Sequence, residues 1–390
     1  MSYVRHKQRN SELLRDDIRS KHTVFRGLPE IVNLNHTDVC NLRCIMCFQA
    51  YTPGRNTIPL DRVREILDEL LPTARKLKLT TAGEPVLGPF AEIVDRARHY
   101  GCRLELITNA TRLTPERFAM MEDILDQIVI SLDSHELESL EHIRGKGVHK
   151  RIMDNLAALG EYLQGKPRSF ISAYHIVLMT SNVPLLADFV RFARTTGVDR
   201  VKVLRMHYMT EKLKQDEDPF VNFTREELDR HVHEAQRVAR EVGMNLTLGE
   251  VGYDDVDAFP VRAHDPPLIP TYCCNMLMQE VYVYPTEEIF PCCIPSAALR
   301  MGTLKEKSFP EIWNGRGYRR LRRQMFSQKL EGACSGCKIY GLDPEDSAFD
   351  FVPGAAPGRS RAAFDRLAAR IRGTLKDHLS WPGRNRTPIR

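Results

Sequence analysis

The chain has 390 residues, of which 42% are hydrophobic and 27% charged, with a formal net charge of +5. This balance is that of a globular protein with two domains, or one large barrel with an appendage, and it excludes a disordered polyelectrolyte. The charge excess is too small to point to nucleic acid, and no apolar run approaches the roughly 18 residues of a membrane span.

The first 21 residues are polar and charged, so they read as an N-terminal extension (1–29) and not as a secretory signal. A cytoplasmic setting is therefore expected, where ten cysteines speak for metal binding over disulfides. From residue 31 onward short apolar runs alternate with amphipathic helices. Strands are expected at 31–34, 77–79, 103–107, 127–131, 170–177 and 200–204. Helices are expected at 60–73, 90–100, 115–124, 150–164, 185–196 and 224–242. Leu60, Val63, Ile66, Leu67 and Leu70 share one helix face. Thr224 and Glu227 read as a capping box. Strand–helix alternation means βαβ units and a parallel sheet, whose chemistry gathers at the carboxyl ends of its strands. Residues 206–223 form a polar stretch after the sixth strand, placed either to line a pocket or to connect. Pro260, Pro266, Pro267 and Pro270 mark a linker over 251–272. Residues 281–290 read as a β-hairpin and are followed by an Arg-rich helix. A basic tail from about residue 342 carries an amphipathic helix at 361–379, read as a solvated surface.

Cysteines carry the chemistry. Cys40, Cys44 and Cys47 form a C-x3-C-x2-C run directly after the first strand. Three thiolates on one loop can each bind one iron of a four-iron, four-sulfur cluster, leaving the fourth iron open to an exogenous molecule. The alternative is structural zinc held with His36. A second set, Cys273, Cys274, Cys292, Cys293, Cys334 and Cys337, lies in the last third of the chain. Its C-x2-C pair also fits zinc. Cys102 reads as a buried thiol.

The first run resembles the signature of the radical S-adenosylmethionine (SAM) enzymes. The resemblance extends over residues 30–340 and implies an α/β fold, a partial (β/α)6 TIM-like barrel over 30–250. It also implies SAM bound on the open iron and cleaved by one electron to a 5′-deoxyadenosyl radical. Thr81-Ala82-Gly83-Glu84-Pro85 is similar to the family's GGEP element, which places Gly83, Glu84 and Pro85 at the SAM ammonium. Asn109 lies in an element similar to TNG, with Ala110 for the glycine. By the same resemblance Ser131 lies near the SAM carboxylate and Asp133 near the ribose or substrate. Arg144 pairs with the SAM carboxylate, its alternative being a surface salt bridge, and Met46 packs on the adenine.

The second cysteine set resembles the SPASM and shorter Twitch extensions, over 273–341. One auxiliary [4Fe-4S] cluster on Cys274, Cys292, Cys334 and Cys337 fits that form, making two clusters in all. Cys273 and Cys293 are then spare thiols and the candidate catalytic hydrogen donors, with small buried residues as the alternative. The short segment before the first strand favours a polar small-molecule substrate of sugar, aminocyclitol or nucleoside type. Oxidation or epimerisation follows, with flavodoxin or ferredoxin as electron donor. Peptide or protein modification is the alternative, and a non-enzymatic iron–sulfur or zinc scaffold a remote one.

Overall fold

A computed structural model describes residues 2–79, 83–256, 274–335 and 337. Cys273, Thr81, Ala82, the prolines of the linker and the basic tail lie outside the described residues, as do the domain boundaries expected at 272 and 341.

The chain opens with helix α1 (Ser2–Arg19), then β1 (Ile31–Leu34), α2 (Leu60–Leu70), β2 (Lys76–Leu79), α3 (Phe90–His99) and β3 (Arg103–Thr108). Next come α4 (Pro115–Ala119), β4 (Leu125–Ser131), α5 (Leu137–Arg144), α6 (Val148–Leu163), β5 (Ile171–Leu178) and α7 (Leu186–Thr196). They are followed by β6 (Arg200–Arg205), α8 (Glu211–Glu217), α9 (Pro219–Asn222), α10 (Arg225–Val242) and β7 (Asn245–Thr247). The C-terminal part holds α11 (Asn275–Gln279), β8 (Glu280–Val283), β9 (Glu288–Phe290), β10 (Gly302–Thr303), α12 (Phe309–Trp313) and α13 (Arg316–Ser327).

All six expected strands are present within two residues of their expected ends. They belong to one ten-stranded sheet of order β10-β9-β8-β1-β2-β3-β4-β5-β6-β7, open between its two edge strands. Strands β1 to β7 run parallel, as the crossover helices require. Leu77, Leu79, Leu104, Leu106, Ile128 and Ile130 alternate along their strands and bury against those helices. Thr224 and Glu227 form both halves of the expected capping box on α10.

Three features depart from the sequence reading. The C-terminal hairpin is not a separate sheet: β8 pairs in parallel with β1 from Ile31↔Glu280 to Leu34↔Val283. The polar stretch 206–223 folds into α8 and α9, with Met206 and Leu213 buried against Ile143 and Met179. The N-terminal extension is helical. Leu14 and Ile18 of α1 are buried, and Lys7 Nζ donates to the buried Cys102 thiol at 3.3 Å. Cys102 is thus the buried thiol expected of it.

Residues 23–27 are clamped against the C-terminal helices. Trp313 Nε1 donates to the Gly27 carbonyl at 2.9 Å. Asn314 exchanges two hydrogen bonds of 2.8 Å with the Phe25 backbone. Arg322 is fully buried, its guanidinium 3.8 Å from the Phe25 ring and 4.2 Å from the Trp313 ring. Cation–π contact and the carbonyl of Thr23 replace the water that burial removes. Burial still pushes the Arg322 pKa down, to about 9. Trp313→Ala removes the shared wall of this clamp and is expected to lower unfolding stability by about 3–5 kcal/mol, measured by denaturant titration of the anaerobic protein.

Candidate active site

The Cys40–Cys47 loop leaves the carboxyl end of β1, and every element around it holds it by backbone or side-chain contacts. Ile45 N donates to the Ile143 carbonyl of α5 at 2.9 Å. Glu84 N donates to the Val39 carbonyl, also at 2.9 Å. Gly83 is needed here for the approach of this loop: a Cβ on it would lie 2.5 Å from the Val39 oxygen and 2.8 Å from that of Thr37.

Glu84 is almost fully buried. One carboxylate oxygen accepts from Thr108 Oγ1 and the other from Asn109 N at 2.9 Å. No side-chain cation bonds to it among the described residues. Burial therefore raises its pKa to about 7 despite those two donors. Asn109 reaches the cysteine loop itself, with Nδ2 3.1 Å from Asn41 Oδ1 and 3.8 Å from Cys40 Sγ. Asn41 in turn donates to Thr111 Oγ1 at 2.8 Å. Ala110 has φ +58°, in the left-handed region that glycine occupies freely. That explains a glycine in the similar family element.

Arg144 is not a surface residue. Its side chain is 5% exposed and its Nη2 lies 2.6 Å from Asp133 Oδ2. Nη1 points to Cys44 Sγ at 3.9 Å, and the buried Nε has no hydrogen-bond partner among the described residues. Burial is the largest influence and opposes the charge, but Asp133 together with Cys44 and Cys47 outweighs it and holds the guanidinium above its ordinary pKa. Asp133 is committed to this pair and to Val177 N at 2.9 Å. Ser131 ends β4, partly exposed. Met46 packs beside Ile143, Met179, Met206 and Leu213 under α8. Pro85 and Gly83 line a small cleft with His36 and Thr37.

Burial raises the thiols of Cys40 and Cys44, the latter to about 11. Cys44 feels the charges of both Cys40 and Cys47. Ligation requires thiolates, so metal binding here releases protons. A buried carboxylate without a bonded cation, a buried guanidinium with a spare donor, and three gathered thiols fit the ammonium, the carboxylate and the cluster of a SAM site. A single tetrahedral zinc, at about 2.3 Å from each sulfur, needs ligands nearly in contact. His36 is instead held by the Leu87 carbonyl, 2.9 Å from Nε2.

In the C-terminal part, burial raises Cys274 to about 11 and Cys292 to about 12. Cys274 feels Cys334 and Cys337, and Cys292 feels Cys274 and Cys334. The four expected ligands are thus neighbours. Cys293 neighbours the same set, feeling Cys337 and acting on Cys292, and its environment also includes Glu280 and Lys78.

That environment is the feature missed in the sequence. Tyr282, Asn33, Lys78, Glu105 and Gln127 occupy one register across β8, β1, β2, β3 and β4. All are polar, where barrel interiors are usually branched aliphatic. Glu280 accepts from Asn33 Nδ2 at 2.8 Å and from Tyr282 at 3.0 Å. Lys78 Nζ sits 3.7 Å from Glu280 and 3.8 Å from Glu105. The alternation of Lys76, Lys78 and Glu105 with leucines carried the signal, but β8 was not known to lie beside β1.

Residues 34–193 match the Radical SAM superfamily, and residues 273–338 match SPASM, an iron-sulfur cluster-binding domain. The AdoMet-dependent heme synthase of Methanosarcina barkeri is 22% identical over 332 residues, 80% of this chain and 88% of the relative. The mycofactocin maturase MftC of Mycolicibacterium smegmatis is 26% identical over 331 residues, 80% of this chain and 76% of the relative. The crystal structure of Streptococcus suis SuiB bound to precursor peptide SuiA superposes with a TM-score of 0.57 at 16% identity. It covers 78% of this chain and 68% of that one, and shows a shared fold.

Two outcomes follow from this geometry. Ala110→Gly relieves a left-handed alanine by about 1 kcal/mol but removes a fully buried methyl worth about the same, so the denaturation midpoint is expected to stay close to that of the parent. Glu84, with its raised pKa, is protonated in the cofactor-free protein below about pH 7. A cationic partner needs the carboxylate, so SAM affinity should fall as pH drops through 7, with about one proton released per SAM bound. Calorimetry in buffers of different ionisation enthalpy reads that proton, and Glu84→Gln should abolish the pH dependence.

Proposed function

From the membership of this chain in the radical SAM superfamily, with a C-terminal SPASM domain, we propose that it is a maturase that modifies a peptide. The radical SAM domain binds SAM and a [4Fe-4S] cluster, and the SPASM domain binds auxiliary iron–sulfur clusters. When bound, these groups supply a carbon radical that removes hydrogen from an unactivated C–H bond. The chain's own residues position and enclose that event.

In this reading Cys40, Cys44 and Cys47 hold the first cluster, and Cys274, Cys292, Cys334 and Cys337 an auxiliary one. Glu84 accepts from the SAM ammonium, and Arg144 offers its spare Nε to the SAM carboxylate beside Ser131. Asp133 acts through Arg144, which it orients, so the ribose role expected for it is given up. Met46 and α8 cover the site from the side. The polar row from Tyr282 to Gln127 forms the floor on which a polar part of the substrate rests. Cys293, beside Glu280 and Lys78, remains the candidate hydrogen donor, and oxidation with the auxiliary cluster as electron acceptor the alternative outcome.

The observation that carries the peptide reading is the SPASM match joined to a radical SAM match, shared with a maturase over four-fifths of this chain. A fold in common with a peptide-bound enzyme agrees with it. It favours a peptide over the small polar molecule expected from the sequence. Relatives named as a heme synthase and as a GTP 3',8-cyclase support the small-molecule reading. Among the described residues no helix is long and apolar enough to cross a membrane.

Substrate-stimulated formation of 5′-deoxyadenosine separates the two. Anaerobic enzyme supplied with size-fractionated extract of its own host should be stimulated by a fraction that protease destroys. Stimulation that survives protease and passes with small metabolites would return the small-molecule reading. In the same assay Cys44→Ala should form no 5′-deoxyadenosine, and Cys334→Ala should retain uncoupled cleavage.

A further inference from the structure

Helix α13 buries Tyr318, Leu321, Arg322 and Met325 on one side. Its other side carries Arg316, Arg319, Arg320 and Arg323, all exposed. Their spacing of i, i+3, i+4 and i+7 puts them on one stripe, about 11 Å long. Exposed Lys329 follows just past the helix end. The helix contains no acidic residue.

This is not how the chain treats its other solvated arginines. On α3 Arg96 pairs with Glu92, and Arg98 with Asp95. On α7 Arg191 pairs with Asp188, and on α10 Arg237 pairs with Glu234 and Glu241. Among the described residues, no side chain of these five exposed cations forms a hydrogen bond or ion pair, unlike that of the buried Arg322. A single-sign stripe repels itself, and the usual remedy of interspersed acids is missing.

The stripe also has a place. Cys334, one of the expected auxiliary ligands, follows α13 by seven residues and feels the charge of Arg320. These arginines therefore border the iron–sulfur part of the molecule. We propose that the α13 stripe is the docking surface for a small acidic electron-carrier protein that exchanges one electron with the auxiliary cluster. The cluster loses the electron that the carrier gains, and no bond is made or broken. Opposed charge steers such encounters and raises association rates at low ionic strength. This inference rests on the auxiliary-cluster assignment above.

The test uses the full-length, iron-loaded protein and, as probe, an acidic two-iron ferredoxin. Equilibrium binding is measured at low and at physiological salt. Binding should weaken with salt, and Arg319→Glu with Arg323→Glu should weaken it about tenfold or more at low salt. Arg319→Lys with Arg323→Lys should keep most of it, and Arg237→Glu on α10 should change nothing. Carbodiimide should link Lys329 to a ferredoxin carboxylate. Iron content and circular dichroism of each variant report that it has folded and loaded. An unchanged affinity in the Glu variant overturns the proposal, as does equal binding of a basic c-type cytochrome. So do Lys329 cross-links to carboxylates of this same chain, or tighter binding of a DNA duplex with the same loss in the Glu variant. Iron near four per chain instead of eight would contradict the auxiliary cluster, whatever the ferredoxin does.

Discussion

The parallel pairing of β1 with β8 is the contact on which the rest of the molecule depends. It makes β1 an interior strand, flanked by β2 on one side and by the C-terminal part on the other. An interior strand has all its backbone groups committed, so the loop that leaves it starts from a fixed point. Cys40 follows the end of β1 by six residues and follows Asn35, whose N donates to the Val283 carbonyl at 2.8 Å, by five. The same pairing brings Glu280 and Tyr282 against Asn33 and Lys78. The segments that carry the two cysteine sets are thus anchored to one sheet, and their separation does not depend only on the linker that joins them in sequence.

Around the loop the electrostatics are unbalanced in a particular way. Arg144 and Asp133 satisfy each other in a buried pair, which leaves little net charge beside Cys44. Glu84 has hydrogen-bond donors but, among the described residues, no side-chain cation bonded to it. A buried carboxylate in that position destabilises the empty protein whenever it is ionised. A cationic ligand there removes the penalty and adds to folding stability, and in the proposed reading SAM is that ligand.

Much of this was legible in the sequence. Alternating apolar residues on β3 and the 3.6-residue period of α2 and α10 gave the elements, because burial of one face enforces those periods. The cysteine spacing and Gly83-Glu84-Pro85 pointed to the candidate site. Other parts were not legible, each for a physical reason. Helix α1 is polar along most of its length and is stabilised by contacts such as Lys7 to Cys102 and Asn10 to Leu28, which have no local signature. Helices α8 and α9 are too short to show a period, and they are fixed by distant partners, His142 to Glu217 at 2.6 Å among them. The polar row depends on strand order, and the β1–β8 neighbourhood joins residues some 250 positions apart in the chain. The surface salt bridge stayed open as the alternative for Arg144 because its buried partner, Asp133, lies in a different segment, past the end of β4. The identity of the substrate was least legible, since the shared cofactor chemistry dominates the motifs.

The central claim is that two iron–sulfur clusters share one sheet and that only the one on Cys40, Cys44 and Cys47 meets SAM. Electron paramagnetic resonance of the reduced protein, recorded with and without SAM, tests it directly. Two overlapping [4Fe-4S] signals are predicted, of which SAM shifts one. The shifted signal should be absent when Cys40, Cys44 and Cys47 are replaced by alanine, while the other persists unchanged by SAM. A single signal, or a SAM-induced shift that survives in the triple alanine variant, would contradict the account.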